Sequence, residues 1–477
     1  MNTNYEAVIG LEVHVQLLTE SKTFCGCRNK FGMPPNTNVC PVCMGHPGTL
    51  PVLNKKVVEF AVLLGLATNS KINFRSIFAR KNYFYPDLPK GWQTSQFAEP
   101  ICEKGYIDIE KSNGENKRIN LTRIHIEEDA GKLIHDQGDE SLVDLNRCGT
   151  PLLEIVSEPD IGTPEEAYLY LTKIKQLVTY LGICDGNMEE GSLRCDANIS
   201  IRKYGEKKLG TKTEVKNMNS FRNVEKAISA EIERQLEIIE DGGTITQQTL
   251  LWNADKGTVN PMRSKEESHD YRYFPEPDLM PVVITDKWMS EISCQLPELP
   301  DQKRTRFIEK YSLPLYDAEI LTGSVDLANY YENVISVTKD YKSASNWMMG
   351  DVLKVLNDEK MEITSFHIAP INLGKLINLI NDGVISGKIA KDVFAEMLKS
   401  NAEPNQIVND KNLIQITDAN LLEEIIETIV SNNLKQVEQY KAGKTSVIGF
   451  FVGHVMRETK GKANPELVNT ILKEKLG

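Results

Sequence analysis

No stretch of the sequence approaches the roughly 18 uninterrupted apolar residues that a membrane-spanning helix requires. The chain is therefore expected to be soluble, with 40% hydrophobic and 26% charged residues, ordinary globular values. Its start, Met1-Asn2-Thr3-Asn4-Tyr5-Glu6, has no basic region leading into an apolar one. No secretory signal is expected, and the cytoplasm is the expected compartment. An excess of basic residues is also absent: 55 Lys and Arg stand against 67 Asp and Glu, for a net charge of -12. That balance excludes a protein that coats nucleic acid nonspecifically, so any RNA contact must be regional.

The common nucleotide-binding and hydrolytic devices are missing too. There is no G-x-x-x-x-G-K-[ST] loop; the nearest string, G-E-K-K-L-G-T-K-T from Gly205 to Thr213, misplaces the lysine. No Rossmann glycine fingerprint, kinase motif set or G-x-S-x-G elbow occurs. If ATP is bound, a less common fold binds it. Internal repeats and low-complexity tracts are absent as well.

A chain of 477 residues exceeds what one core usually serves, so two or three domains are expected. Up to about residue 290, alternating runs such as Tyr5 to Val15 mix with Gly/Pro/Asn turns and a few helices, an α+β pattern. Thr163-Pro164-Glu165-Glu166 is a capping box that opens a helix running to Gly182, and a second helix spans about Asn223 to Asp241. The prolines at 275, 277, 297 and 300 break both ladders and mark the exit. Beyond them the spacing is helical, with Ile389, Val393, Phe394, Met397 and Leu398 on one face. The expected division is 1–294, a large mixed-sheet domain; 295–405, all helical; and 406–477, a small helical tail.

The tail reverses the overall charge. From Lys435 to Lys475 eight Lys/Arg, including Lys441, Lys444, Lys460 and Lys462, stand against four Glu, near Tyr440, Phe450 and Phe451. A phosphate-backbone contact and a solvated helical surface both fit that composition.

Nine cysteines is an odd number, and large cytosolic chains seldom use disulfides. Cys25-Gly26-Cys27 and Cys40-Pro41-Val42-Cys43 form two close pairs separated by twelve residues. That spacing lets four thiolates converge on Zn²⁺, against the alternative of incidental buried thiols. Four sulfurs close the coordination shell, so the role is structural. Cys102, Cys148, Cys184, Cys195 and Cys294 are scattered, and ordinary burial is expected for them.

Glu12 and His14 alternate in a predicted strand, sharing one face while Leu11, Val13 and Val15 take the other. Alone, the pair fits a solvated strand face as well as a ligand pair. Further polar strings occur at 125–132, 151–155 and 188–196. Glu154 lies in an apolar run, where an unpaired charge is costly unless a cation balances it. Oxygen ligands from several segments with one imidazole suit Mg²⁺ holding phosphates. Lys81, among Asn82, Tyr83, Phe84 and Tyr85, can supply a positive charge there or simply edge a domain.

The strings G-L-E-V-H-V at 10–15, R-K-N-Y-F-Y-P-D at 80–87, H-I-E-E-D-A-G-K at 125–132, E-I-V-S-E-P-D at 154–160, E-E-G-S-L-R-C-D-A-N-I-S at 189–200, K-N-M-N-S-F at 216–221 and Y-R-Y-F-P-E-P-D at 271–278 resemble one family. So do N-W-M-M-G-D at 346–351 and K-G-K-A-N-P-E-L-V at 460–468. The chain is similar to the B subunits of bacterial aspartyl/glutamyl-tRNA(Asn/Gln) amidotransferases. The resemblance implies a cradle domain, a helical domain and a helical tail that approaches tRNA. It implies a ligase forming a carbon–nitrogen bond with glutamine as amide donor. Mg-ATP would phosphorylate the side-chain carboxylate of Glu-tRNA(Gln) or Asp-tRNA(Asn), and ammonia would then displace the phosphate. The chain carries no recognisable glutaminase apparatus, so the implied partners are an ammonia-producing A subunit and a C subunit in a heterotrimer.

By match to the family motifs, Glu12, His14, Glu127 and Glu154 are expected to hold Mg²⁺ or its waters. Asp196 and Glu190 are expected nearby, and Lys81 by the reacting centre where ammonia arrives. Lys81, Glu127, Glu190 and Asp196 are thus the expected catalytic residues, with Lys81 and Asp196 at the nucleotide. In this family the cysteines occur in some members only, which suits a structural zinc. Two other functions remain open: a non-catalytic zinc-containing tRNA-binding chaperone, and, less consistent with the closed Cys₄ set, a stand-alone metal hydrolase.

Overall fold

The computed structural model describes residues 4–134, 140–262, 271–416, 418–459 and 461–477. Lys460 of the basic tail lies outside them. The chain separates into two compact units, 1–300 and 301–477.

The first unit is organised by the strand Tyr5–Gln16, whose burial alternates as its sequence does. Leu11, Val13 and Val15 are fully buried, and the intervening Glu12 and His14 are only partly so. This strand is central in a ten-stranded sheet. Pro151–Ser157 pairs with it on one side and Leu193–Lys203 on the other, both antiparallel. Asn116–Glu128 follows beyond the former, and Thr213–Lys216 beyond the latter. Thr213–Lys216 and Thr249–Asn253 run parallel, which makes the sheet mixed. The fold is α+β, as expected from the sequence.

One face of the sheet is covered by three helices: Lys55–Ala67, Pro164–Tyr180 and Phe221–Glu240. Their buried Val58, Leu64, Tyr170, Ile174, Val224 and Ile228 join Leu11, Val13 and Val15 in one core. Local chemistry starts these helices where the sequence places them. Thr163 accepts the Glu166 N–H ahead of Pro164, and Ser220 accepts the Asn223 N–H, so each satisfies an otherwise orphaned donor. Because helices occupy that face, the opposite face is left for polar groups.

Leu296 and Leu299 still pack against this first core. The second unit is helical among its described residues, with one apolar cluster over 307–408 and another over 422–476. Gln415 stitches the two: its N–H donates to Val384 O at 2.8 Å and its amide to Ala463 O at 3.5 Å. We propose the three domains 1–294, 295–405 and 406–477, although Leu296 and Leu299 pack with the first core and Ile407 and Val408 with the second. In the last of them Lys475 is bound to Glu423 and Glu427, whereas Lys441 and Lys444 are exposed.

Of the scattered cysteines, Cys102, Cys148, Cys184 and Cys195 are buried. Cys294 is exposed, contrary to expectation. It caps the C-terminus of the helix Asp286–Ser293, where the chain turns outward and Ile292 alone of that helix is fully buried.

Candidate active site

The polar face of the sheet is built by register. Glu12 lies opposite Asp196, and His14 opposite both Arg194 and Glu154. Glu154 in turn lies opposite His125, and Leu152 opposite Glu127. Directly opposed residues in an antiparallel pair share a face. Side chains far apart in sequence therefore meet in rows across adjacent strands.

Two groups form. In the first, ligand atoms of His14, Glu127 and Glu154 lie within 4.8 Å of one another. His14 Nε2 is 3.5 Å from Glu154 Oε2; His125 Nε2 is 3.2 Å from the same oxygen and 3.3 Å from Glu127 Oε1. Ser95 Oγ donates to Glu127 Oε1 at 2.5 Å, and Gln93 Nε2 to Glu127 Oε2 at 3.2 Å. In the second group Glu12, Asp196 and Glu214 lie equally close. Asn198 donates to Glu12 at 3.0 Å, and Lys216 bridges Asp196 at 2.7 Å and Glu214 at 3.0 Å.

The electrostatics of these groups follow from burial among like and unlike charges. Burial, then Glu154, Glu214 and Asp196, pushes the Glu12 carboxyl above its ordinary value. Burial also works against the Glu154 carboxylate, but His125 and His14 overcome it and hold that group well below the usual range. For His125, burial disfavours the cation, yet Glu154 and Glu127 prevail and raise it to about 9. Carboxylates this close repel unless a cation lies among them. The donor set of carboxylate oxygens with one imidazole is that of a hard divalent cation, so these residues fit Mg²⁺.

Lys81 reaches this centre from a separate three-stranded sheet, in which Ala79–Asn82 pairs with Trp92–Ser95 and with Phe274–Pro275. Lys81 opposes Gln93, whose amide holds Glu127. Burial disfavours its charge, but Glu127, Tyr273 and Glu154 outweigh burial and keep the ammonium more basic than usual. Its Nζ stands 5.0 Å from the centre of the Tyr271 ring. Tyr83, Tyr271 and Tyr273 are in edge contact, and Phe97 stacks on Tyr273 at 4.3 Å, completing an aromatic wall.

Of the residues named from sequence, His14, Glu127 and Glu154 come together, with Lys81 close by in the electrostatics of Glu127. Glu12 and Asp196 come together in the neighbouring group. Glu190 belongs to neither: it is exposed in a turn, where its backbone N–H bonds the Asn187 side chain at 3.3 Å. A turn preceding a strand projects its side chain to solvent, which string matching alone does not register. Sequence reasoning missed His125, Gln93, Ser95 and Glu214; of the wall it named Tyr83 beside Lys81 but did not join Tyr271 and Tyr273 to it. A period-2 signal was present for two of them, since His125 alternates with Glu127 and Glu214 with Lys216.

Cys25, Cys27, Cys40 and Cys43 converge with their sulfurs within 4.8 Å of one another. The Cys40 N–H donates to Cys43 Sγ at 3.0 Å, and the buried Lys22 ammonium lies 3.9 Å from it. The Cys25 thiol, the Cys40 N–H and Lys22 together favour the Cys43 thiolate over the cost of burial. A tetrathiolate set with amide and ammonium support fits a structural zinc.

Residues 7–290 match the family described as the GatB/GatE catalytic domain, and residues 329–476 match the GatB domain. The chain is 56% identical over 476 residues to the B subunit of the aspartyl/glutamyl-tRNA(Asn/Gln) amidotransferase of Geotalea uraniireducens (strain Rf4), covering 99% of each. It is 57% identical over 472 residues to the protein of the same name in Thermoanaerobacter sp. (strain X514), again 99% of each. The Chlorobaculum tepidum protein of that name is 56% identical over 473 residues, with 99% of each chain covered.

Proposed function

The chain belongs to the family of aspartyl/glutamyl-tRNA(Asn/Gln) amidotransferase B subunits, and on that premise we propose that it is the tRNA-dependent, ATP-consuming subunit of such an enzyme. It activates the side-chain carboxylate of Glu-tRNA(Gln) or Asp-tRNA(Asn) as an acyl phosphate. Ammonia supplied by an A subunit then replaces the phosphate, in a heterotrimer completed by a C subunit. The compartment is the cytoplasm.

The two-step route has a physical reason. A carboxylate resists attack by ammonia because the leaving group is oxide, whereas an acyl phosphate attacked at its carbonyl carbon expels inorganic phosphate once the charge on that group is spread. The observation that carries this proposal is the convergence of His14, Glu127 and Glu154 beside Glu12 and Asp196 on one sheet face. Mg²⁺ bound there would neutralise phosphate oxygens and polarise the phosphorus under attack. His14, Glu127 and Glu154 hold the position, with Glu12 supplied from the adjoining group. His125, between Glu127 and Glu154, orients both carboxylates. Lys81 holds a positive charge at the edge of the centre, where an anionic acyl phosphate and an arriving amine meet. Asp196, held by Lys216, lies toward the nucleotide. The four cysteines brace the fold around Zn²⁺, and the tail helices meet the tRNA.

A single-turnover assay on the assembled subunits tests the proposal. ADP should form only with mischarged tRNA, and should vanish in Glu12→Ala and Glu154→Ala. Binding of tRNA with no nucleotide turnover in the parent would instead identify a zinc-containing tRNA chaperone. Amide products from both mischarged tRNAs decide the substrate.

A further inference from the structure

Arg123 stands on the same face of the sheet as the acidic groups. It lies directly opposite Val156, which lies opposite Glu12. Along its own strand it shares that face with His125 and Glu127, while Ile124 and Ile126 point into the core. The strand register shifts at Val156/Ser157, beside Arg123. An irregularity of this kind re-aims the neighbouring side chain.

The Arg123 side chain is half-buried, its Nε is sealed from solvent without a partner, and it makes no hydrogen bond or ion pair among the described residues. Even the acid in register with it on the adjoining strand, Glu103, turns away to Lys71 at 3.3 Å. By contrast, Arg194 and Arg202, which share this face by register, are both engaged: Arg194 donates to Asp129 at 2.8 Å and Arg202 to Glu6 at 2.7 Å. A guanidinium is always charged and presents five donors in a planar fork, so leaving it half-desolvated and unpaired is costly. An arginine so placed, on a face rich in carboxylates that it does not contact, is suited to an anion brought by a ligand.

We propose that Arg123 is a binding residue that grips a phosphate oxyanion of the ligand entering between the two acidic groups. Neighbouring strands lie about 4.8 Å apart and successive same-face residues about 7 Å apart, so Arg123 is one strand beyond Val156 from Glu12 and one step from His125. Cationic fork and carboxylate-held cation then address the two ends of one polyanion, and Val156 is the apolar floor between them. The shared chemistry is a phosphate, from the nucleotide or from the phosphodiester chain at the tRNA acceptor end. The inference rests on the amide-forming reading above.

The test uses the assembled complex carrying Arg123→Ala or Arg123→Lys. Two affinities are measured separately by equilibrium titration, for Mg-ATP without tRNA and for mischarged tRNA without nucleotide. Arg123→Ala should weaken one of them by about 10- to 100-fold and leave the other nearly unchanged, the range expected when one charge-assisted hydrogen bond is removed. Which arm moves identifies the source of the phosphate. Arg123→Lys should recover only part of the loss, because it keeps the charge without the fork, and millimolar guanidinium should partly rescue Arg123→Ala. Parental affinity for both ligands in either variant, at a parental melting temperature, overturns the proposal. If Arg123→Ala melts early, Arg123→Lys decides by the same two titrations, since it preserves the buried stem. The broader reading fails on a different result, the absence of tRNA-dependent ADP release from the parent complex.

Discussion

His14 and Glu154 face each other across two adjacent antiparallel strands, and their side chains meet at 3.5 Å. They are 140 positions apart in the chain, so only sheet register joins them. On its other side Glu154 meets His125 at 3.2 Å, which places one carboxylate between two imidazoles.

That position makes Glu154 the residue whose loss should be felt most. Glu154→Gln keeps the shape but removes the charge that both imidazoles meet and that a divalent cation would need. Single-turnover ADP formation should fall by about 100-fold, a typical cost for one electrostatic group in a phosphoryl-transfer site. The tRNA affinity, read by titration, should stay close to the parent value. A variant with full turnover removes Glu154 from the centre.

Glu214, which string matching did not single out, should matter for nucleotide turnover in the way proposed for Asp196. Glu214→Ala removes one of three carboxylates in its group and one partner of Lys216. An apparent KM for Mg-ATP raised by about tenfold, with little change in tRNA affinity, is the expected result. An unchanged KM assigns Glu214 to the fold alone.

The four-cysteine group should act through stability. Cys25→Ser, or chelation of the parent, should release bound zinc and lower the melting temperature while turnover at low temperature persists. Metal analysis paired with calorimetry checks this. Loss of zinc with parental melting would sink the structural role.

Glu166 gives a pH-dependent prediction away from the centre. Its carboxylate accepts the Lys117 ammonium at 2.6 Å and the Gly162 N–H at 2.8 Å. Burial works against the charge, but these donors prevail and depress the folded-state value below 4.5. A depressed carboxylate contributes stability that is fully present above the unfolded value and lost as pH falls through the folded one. Glu166→Gln should therefore cost about 1–2 kcal/mol at neutral pH, and the gap should narrow as pH falls below 4.5. Denaturant titrations at neutral and acid pH compare the two proteins; a gap that is constant with pH contradicts the assignment.

In the tail, Lys441→Ala with Lys444→Ala should weaken tRNA binding and flatten its salt dependence. The slope of log affinity against log salt should drop by about 0.7–0.9 for each phosphate no longer neutralised. Lys475→Ala should leave the slope alone, because Lys475 is already bound to Glu423 and Glu427. Equal slopes for all the variants would place the tRNA-binding surface elsewhere.

Much of this was legible in the chain. The alternation of Leu11, Val13 and Val15 with Glu12 and His14 announced a strand with one apolar and one polar face. The box at Thr163 announced its helix, and the two close cysteine pairs their convergence. Such features depend on local periodicity, capping and short-range spacing, which a sequence displays directly. His125 was less visible, because a histidine between isoleucines reads as an ordinary core residue until its strand partners are known.

What the sequence by itself determined is the family, the α+β class, the four-cysteine group and most of the acidic side chains of the candidate centre. What only the tertiary structure decided is how those side chains divide. Glu12 joins Asp196 and Glu214, whereas His14 joins Glu127 and Glu154. Glu190, within the same matched string as Asp196, stays in an exposed turn. The reason is physical: alternation along a strand fixes a residue's face, but the pairing of strands drawn from distant parts of the chain fixes its neighbours. Arg123 shows the same division, since its unpaired guanidinium follows from a register shift opposite it and from Glu103 turning to another cation.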